Sequence, residues 1–397
     1  MKSLLSQTKS ALYPLTVFAE KGLRRWNNFL GRREEYLLTS PVNIYEIKSR
    51  TLNYLSSLRV TKRGKFIGYR HSKSCTKPTL YSTLAVLLIK NLYDEDVNHA
   101  EEALELVLKA QSEDGLWRDP VIECREAETE DWWGWRHLTL HALMTLALYD
   151  RPARREISYV VQFANPDKFR KFLNSLDWEN KVHDSSNAIQ NIGVMLQYSR
   201  DYHNSTTAGK LIDVLYEMLS AKQDSHTGLY GCKFNTPTEI SIGVQAGYHF
   251  WLLYFYDDLA INHVESIIDN VLKTQNRLGG YGVKWNSSAC EDIDSIDPLV
   301  RLGRQSSYRN ADIQLSLQRA LPALLHNFNG NGGWVFRRHE SMTIGHREMF
   351  SAVNESNLFY TWFRTLGLAY CLSGLQHPPL ELQYPWNFRR APGHQFL

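Results

Sequence analysis

The chain has 397 residues, 43% of them apolar and 12% aromatic, and a formal net charge of +3. That length leaves one or two domains open, the apolar share can fill a large core, and the near-neutral balance gives no sign of a nucleic-acid partner. The five cysteines (Cys75, Cys124, Cys232, Cys290 and Cys371) lie far apart without Cys-x-x-Cys spacing. Reduced thiols in a cytoplasmic setting are expected, rather than a disulfide framework or a zinc ribbon.

Residues 1–36 carry Lys2, Lys9, Lys21, Arg24, Arg25, Arg32 and Arg33 among Leu, Phe and Trp. Pro14 and Thr16 interrupt the short apolar segment, which fits a signal peptide poorly. The expectation is a basic amphipathic arm that touches a membrane surface, which would make the protein peripherally membrane-associated; a solvated leader is the alternative. No apolar run reaches the roughly 18 residues a spanning helix needs. The richest, 242–256, is interrupted by Gln245 and His249 and reads as a buried core helix.

Residues 37–375 contain a repeat. Four segments end alike: Gln111-Ser-Glu-Asp-Gly-Leu-Trp117, Gln223-Asp-Ser-His-Thr-Gly-Leu-Tyr230, Gln275-Asn-Arg-Leu-Gly-Gly-Tyr281 and Phe328-Asn-Gly-Asn-Gly-Gly-Trp334. The last three start roughly fifty residues apart and the first stands off by about twice that, so a degenerate copy is expected near Leu176-Asp177-Trp178. In each turn a glycine takes the left-handed conformation that stops a helix, and the aromatic folds back over the hairpin. One-sided amphipathic helices precede the turns, at 44–58, 100–109, 169–176, 211–221, 264–274 and 313–327. Helices apolar on several faces alternate with them, at 79–93, 135–149, 186–198, 240–256, within 292–304, and at 354–375. Six outer and six inner helices predict an all-α fold, an (α/α)6 toroid of six helical hairpins with glycine–aromatic turns. The segment 376–397, with Pro378, Pro379, Pro385 and Pro392, should be extended.

In such a toroid the inner helices are parallel and their N-termini gather at one mouth, where dipole ends favour an anionic ligand. The residues entering them are polar, and for most an N-cap role suffices. Glu291, Asp292, Asp294 and Asp297 exceed what one cap needs. Asp297-Pro298 reads as an N-cap and first helical position, leaving 291–295 in a loop, and Asp297 can pair with Arg301 one turn on. Burial and crowding raise a carboxyl pKa whereas a helix N-terminus lowers it, and the sequence leaves the winner open. If the cluster stays ionised, oxygen ligation of a divalent metal is the alternative. Trp132, Trp133 and Trp135, flanked by Asp131 and His137, and Tyr248, Trp251 and Tyr254 are candidate cation-stabilising walls or core. Asn357, Thr361 and Arg364 share one helical stripe. A buried Arg364 needs an acidic partner, either the cluster or an anionic substrate group.

The glutamine–glycine–aromatic turns resemble the repeats of the squalene cyclase, terpene cyclase and prenyltransferase toroids. Asp292-Ile293-Asp294-Ser295, followed by Leu299-Val300-Arg301-Leu302, is similar to the Asp-x-Asp-Asp segment of class II terpene cyclases. The resemblance implies that Asp294, as the middle acid, protonates an alkene or epoxide of an isoprenoid. Asp292 takes the first position, Ser295 replaces the third acid, and Asp297 and Glu291 complete the acidic set. It implies no cofactor for the chemistry, with Mg²⁺ entering only if the substrate carries a diphosphate. Trp132, Trp133, Trp135, His137, Asn187, Tyr248, Asn357 and Arg364 are the expected substrate contacts. A rival resemblance joins Asp131-Trp132-Trp133-Gly134-Trp135 to the Trp-Trp motif of toroidal polysaccharide lyases. It implies a glycan-active enzyme drawing on Asn187, His226, Tyr230 and Arg136. Cys290-Glu291-Asp292 has the wrong order for the zinc site of prenyltransferase β-subunits. A non-catalytic toroid binding an anionic ligand is the third reading.

Overall fold

The computed structural model describes residues 43–96, 100–122, 134–163, 165–231, 233–394 and 396–397. The basic arm, Asp131, Trp132 and Trp133 lie outside these residues. Twelve α-helices form among the described residues, and they alternate between two burial patterns. The odd-numbered ones are α1 (Ile44–Ser57), α3 (Glu101–Lys109), α5 (Pro166–Ser175), α7 (Thr206–Lys222), α9 (Val264–Thr274) and α11 (Asn310–Leu325). Each buries a single stripe, as α3 does with Ala103, Leu104, Val107 and Leu108. The even-numbered ones are α2 (Leu80–Leu92), α4 (Trp135–Leu148), α6 (Val182–Tyr202), α8 (Pro237–Tyr256), α10 (Ala289–Gln305) and α12 (Leu358–Gly374). These are buried on nearly all faces; in α4 every residue from Leu138 to Leu148 is buried. Such a helix must be surrounded by others. Each even helix packs on the next, and α12 packs on α2, so the inner ring is closed. The outer ring of one-sided helices covers it, which is the expected (α/α)6 toroid.

The repeated turns are built alike. Gly115, Gly228, Gly279 and Gly332 have φ between +69° and +97°, and an antiparallel bridge joins each turn's first residue to its aromatic. The glutamine closes its own turn: the amides of Gln111, Gln223 and Gln275 donate to the carbonyls of Gly115, Gly228 and Gly279 at 2.8–2.9 Å. They also reach the neighbouring hairpin, at the carbonyls of Arg155, Asn262 and Ser316. The ring closes through the same device, because Gly332 lies against the backbone of Arg50 in α1, where a Cβ would meet the carbonyl oxygen at 2.0 Å. Trp178 marks the degenerate copy; it is buried, and its indole N–H donates to the carbonyl of Leu173.

Two expectations need correction. Helix α10 begins at Ala289 and not at Asp297. Ser288 and Glu291 form a capping box, each side chain accepting from the other's backbone N–H, and this fixes the start two turns earlier. Pro298 therefore lies inside the helix, where it has no N–H to give the carbonyl of Asp294. The structure also contains strands that the helical reading omits: β1 (Arg59–Lys62), β2 (Lys65–Arg70) and β3 (Pro78–Thr79) in one antiparallel sheet, with β4 (Met342–Thr343) and β5 (Phe350–Ser351) paired separately. Arg63 and Gly64, both at positive φ, supply the two-residue turn between β1 and β2.

The C-terminal segment is largely extended, as its prolines suggest, and it crosses the mouth where the inner helices end. The Asn387 N–H donates to the carbonyl of Leu92, Arg389 reaches that of Leu148, and Arg390 that of Tyr256. Cations are thus placed on carbonyl ends of helices, where the dipole favours them. Cys75, Cys290 and Cys371 are free thiols. No helix among the described residues is long and apolar enough to cross a membrane.

His71, between β2 and the helix ring, is fully buried and neither ring nitrogen has a hydrogen-bond partner. Burial pushes its imidazole down to about 3. A depressed folded value means stability that is complete above the unfolded value near 6.5 and is lost as pH falls toward 3. Between pH 6.5 and 5 this one group should cost the wild type about 2 kcal/mol. His71→Leu should be at least as stable at pH 7 and should lose less on acidification, by urea denaturation at the two pH values. Parallel losses in both proteins would show that His71 carries none of the acid sensitivity.

Candidate active site

The inner helices enclose a cavity of about 390 Å³ in the half of the barrel where they begin, within the range of small-molecule sites. Strand β4 and the two residues after it, 342–345, cover it from the mouth, and Gly393 of the C-terminal segment reaches it from the opposite end. Because the ring closes in chain order, α10 stands opposite α4, and α12 stands opposite α6.

The α10 wall presents Cys290, Glu291 and Asp294, spaced to share one helical face. The four acids of the cluster do not converge. Asp292 points away from the cavity: it pairs with Arg364, accepts from Ser287 Oγ at 2.7 Å and from the Tyr281 N–H at 3.1 Å. The last contact has counterparts in two other repeats, where the N–H groups of Trp117 and Trp334 donate to Thr139 Oγ1 and Thr361 Oγ1. Asp292 thus holds the turn aromatic, as threonine does elsewhere. Asp297 pairs with Arg301 at 2.6 Å, and Glu291 with Arg337 at 2.7 Å in addition to capping α10. Asp294 alone of the four has no hydrogen-bond or ion-pair partner among the described residues, although it is only 2% exposed. Burial, then the charges of Glu291, Asp297 and Asp292, push its carboxyl well above the usual carboxylate range. Desolvation and crowding therefore outweigh the helix N-terminus. Asp292 and Asp297 face away toward their arginines, so the set does not fit a Mg²⁺ ion. No group of three or more metal-ligating side chains occurs among the described residues.

The α12 wall is aromatic. Phe359, Tyr360, Trp362 and Phe363 face the cavity with Phe336, and the Phe359 and Phe363 rings stack at 4.9 Å. Opposite the acid, α4 presents His137 and His141, and α6 and α8 add His183, Asn187, Gln190, Gln245, Tyr248 and His249. Burial holds the His137, His141 and His249 imidazoles low, His141 at about 4.

Of the residues singled out in the sequence, Asp294, Glu291, His137, Asn187 and Tyr248 line this cavity. Arg364 does not. It is fully buried on the face of α12 turned away from the cavity, bonded to Asp292 and to the carbonyls of Ser287 and Phe336, so the acid cluster and not a substrate group is its partner. Asn357 caps α12, its side chain accepting from the Tyr360 N–H. Trp135 lies outside the cavity, stacked under Arg136 at 4.0 Å and edge-on to Tyr159. Trp251 is buried core, and Tyr254 packs on Tyr216. Of the lyase set only Asn187 reaches the cavity: His226 is exposed in its turn, Tyr230 packs against Phe250, and Arg136 bonds Tyr159. His141, Gln190, Gln245, His249 and the α12 aromatics were missed as site residues. For the polar ones the only signal was their interruption of apolar helices.

No family model and no curated protein matches the chain. Several solved structures are similar to it at low identity. An ent-copalyl diphosphate synthase from Streptomyces platensis is 14% identical, with a TM-score of 0.40 over 73% of this chain and 49% of that one. The chain thus spans about half the length of that synthase. An alpha-1,6-mannanase from a Salegentibacter species is 10% identical, with a TM-score of 0.46 over 82% and 98% of the two chains. A family 88 glycosyl hydrolase from Bacteroides vulgatus is 11% identical, with a TM-score of 0.45 over 83% and 97%. None of these likenesses identifies a reaction, which rests on the residues of the site.

Proposed function

We propose that the protein is an enzyme that cyclises an isoprenoid by protonation, in the manner of class II terpene cyclases, with Asp294 as the acid. The observation that carries this reading is an unpaired, desolvated carboxyl group on the wall of a cavity whose adjacent wall is aromatic. The Asp294 proton adds to an alkene carbon or epoxide oxygen, leaving a carboxylate on the enzyme and a cation on the substrate. Internal alkenes then attack the cation in turn, and loss of a proton from a neighbouring carbon ends the sequence. The ring faces of Phe359, Phe363 and Trp362 stabilise the travelling charge, each desolvated contact contributing up to about 2 kcal/mol. The negative charge of Glu291, which pairs with Arg337, favours the protonated form of Asp294.

The alternative is a glycan-active enzyme, and the neutral amide and imidazole wall is the feature that favours it. Turnover in D₂O separates the two. Acyclic prenols and prenyl diphosphates should yield a cyclic product carrying one carbon-bound deuterium from the acid (on oxygen, and hence exchangeable, for an epoxide). Unchanged isoprenoids together with cleavage of an oligosaccharide would replace this reading with the glycan one.

A further inference from the structure

Of the four histidines that line the cavity, His137, His141 and His249 have their ring tautomers fixed by the fold, and this specifies what that wall can bind. His141 Nδ1 lies 2.8 Å from the carbonyl of His137. A carbonyl only accepts, so Nδ1 carries the proton and Nε2 of the neutral ring is a lone pair. His249 Nδ1 lies 2.8 Å from Ser186 Oγ, whose one hydrogen is donated to the carbonyl of His183 at 2.7 Å. The hydroxyl must therefore accept from His249, and again Nε2 is left as an acceptor. His137 Nδ1 faces the Tyr81 hydroxyl at 3.3 Å, and that hydroxyl donates to the carbonyl of Gly134 at 2.6 Å. The same assignment follows. Asn187 donates one amide N–H to the carbonyl of His183, and Gln245 donates to the carbonyl and hydroxyl of Ser241, which leaves both amide oxygens free. Gln190, 8% exposed, has no partner among the described residues and supplies an amide that both donates and accepts.

Three imidazole lone pairs and two amide oxygens thus belong to side chains that line one small cavity. A phosphate or carboxylate offers further lone pairs and would be repelled. The one arginine lining the cavity among the described residues, Arg337, is already bonded to Glu291 and Glu340. We infer that the polar end of the ligand is an uncharged hydrogen-bond donor, a hydroxyl, so that the substrate is a prenyl alcohol and not a prenyl diphosphate. This rests on the isoprenoid reading above for the apolar part of the molecule. The alcohol's O–H donates to an imidazole Nε2 or amide oxygen while its oxygen accepts from Gln190. The isoprenoid chain runs along the α12 aromatics toward Asp294.

Calorimetric titration of the full chain with four probes tests this: geranylgeraniol, its methyl ether, its diphosphate, and the hydrocarbon lacking the oxygen. The alcohol should bind at least about threefold to tenfold more tightly than the methyl ether, which keeps the acceptor and loses the donor. The diphosphate should bind more weakly than the alcohol. His249→Phe, and separately Gln245→Leu in case the first variant misfolds, should each weaken the alcohol by about threefold to tenfold and leave the hydrocarbon unchanged. Equal binding of alcohol and ether, or a preference for the diphosphate, would overturn the inference while leaving the isoprenoid reading in place. Binding of neutral oligosaccharides with no binding of any isoprenoid would end that reading, and the prenyl-alcohol inference with it. Absence of binding by every probe would overturn both.

Discussion

Asp294→Asn is expected to abolish turnover while leaving the toroid folded and, at pH 7, at least as stable as the wild type. The amide has the shape of the acid but no proton to deliver, so the loss should approach the full contribution of general-acid chemistry, at least about 100-fold to 10,000-fold. The stability sign follows from linkage. A carboxyl whose folded value is raised favours the native state only at low pH, and that contribution is lost as pH rises from the unfolded value near 3.9 through the folded one. At neutral pH the wild type therefore carries a penalty that asparagine lacks. Steady-state turnover and thermal melting at pH 7 check both halves. A melted variant would make Asp294 structural, and retained turnover would remove it from the chemistry.

Arg364→Met should be the most destabilising single change on this face, by about 3–5 kcal/mol. Removing one partner of a buried pair leaves an uncompensated charge, here on Asp292, together with the freed carbonyls of Ser287 and Phe336. Asp292→Asn combined with Arg364→Met should recover part of the loss, because the double variant no longer buries an unpaired carboxylate. Urea denaturation of the two variants gives the comparison. If Arg364→Met is stable and yet inactive, Arg364 holds a substrate group and not Asp292.

The toroid was legible because its repeat is mechanical. A glycine at positive φ and an aromatic with no place but the core recur at four of the six hairpin turns, and both leave their mark on the sequence whatever residues fill the helices. The acidic cluster was legible only as a cluster. Asp297-Pro298 imitates a helix start, and the competing Ser288–Glu291 capping box wins because it satisfies two backbone donors at once. With the helix begun two turns earlier, the carboxylates fan out, and three of the four face arginines that lie far away in sequence or one turn on. Asp292 was indistinguishable from Asp294 by spacing. What separates them is the turn N–H of Tyr281, which only the fold brings to Asp292. The polar wall was hidden for a related reason: Gln190, His141 and His249 sit within apolar helices, where a core histidine and a cavity histidine look alike. Their orientation toward empty space appears only once the ring is closed.

The protonation state of Asp294 is the point on which the account stands, and infrared difference spectroscopy reads it directly. The spectrum of the wild type minus that of Asp294→Asn at pH 7 should contain the carbonyl stretch of a protonated carboxylic acid, shifted on transfer to D₂O. Lowering the pH through the ordinary carboxylate range should leave that band unchanged. A difference spectrum that instead shows carboxylate bands at pH 7, with the acid band appearing only near pH 4, would mean that Asp294 is ionised and has no proton to give.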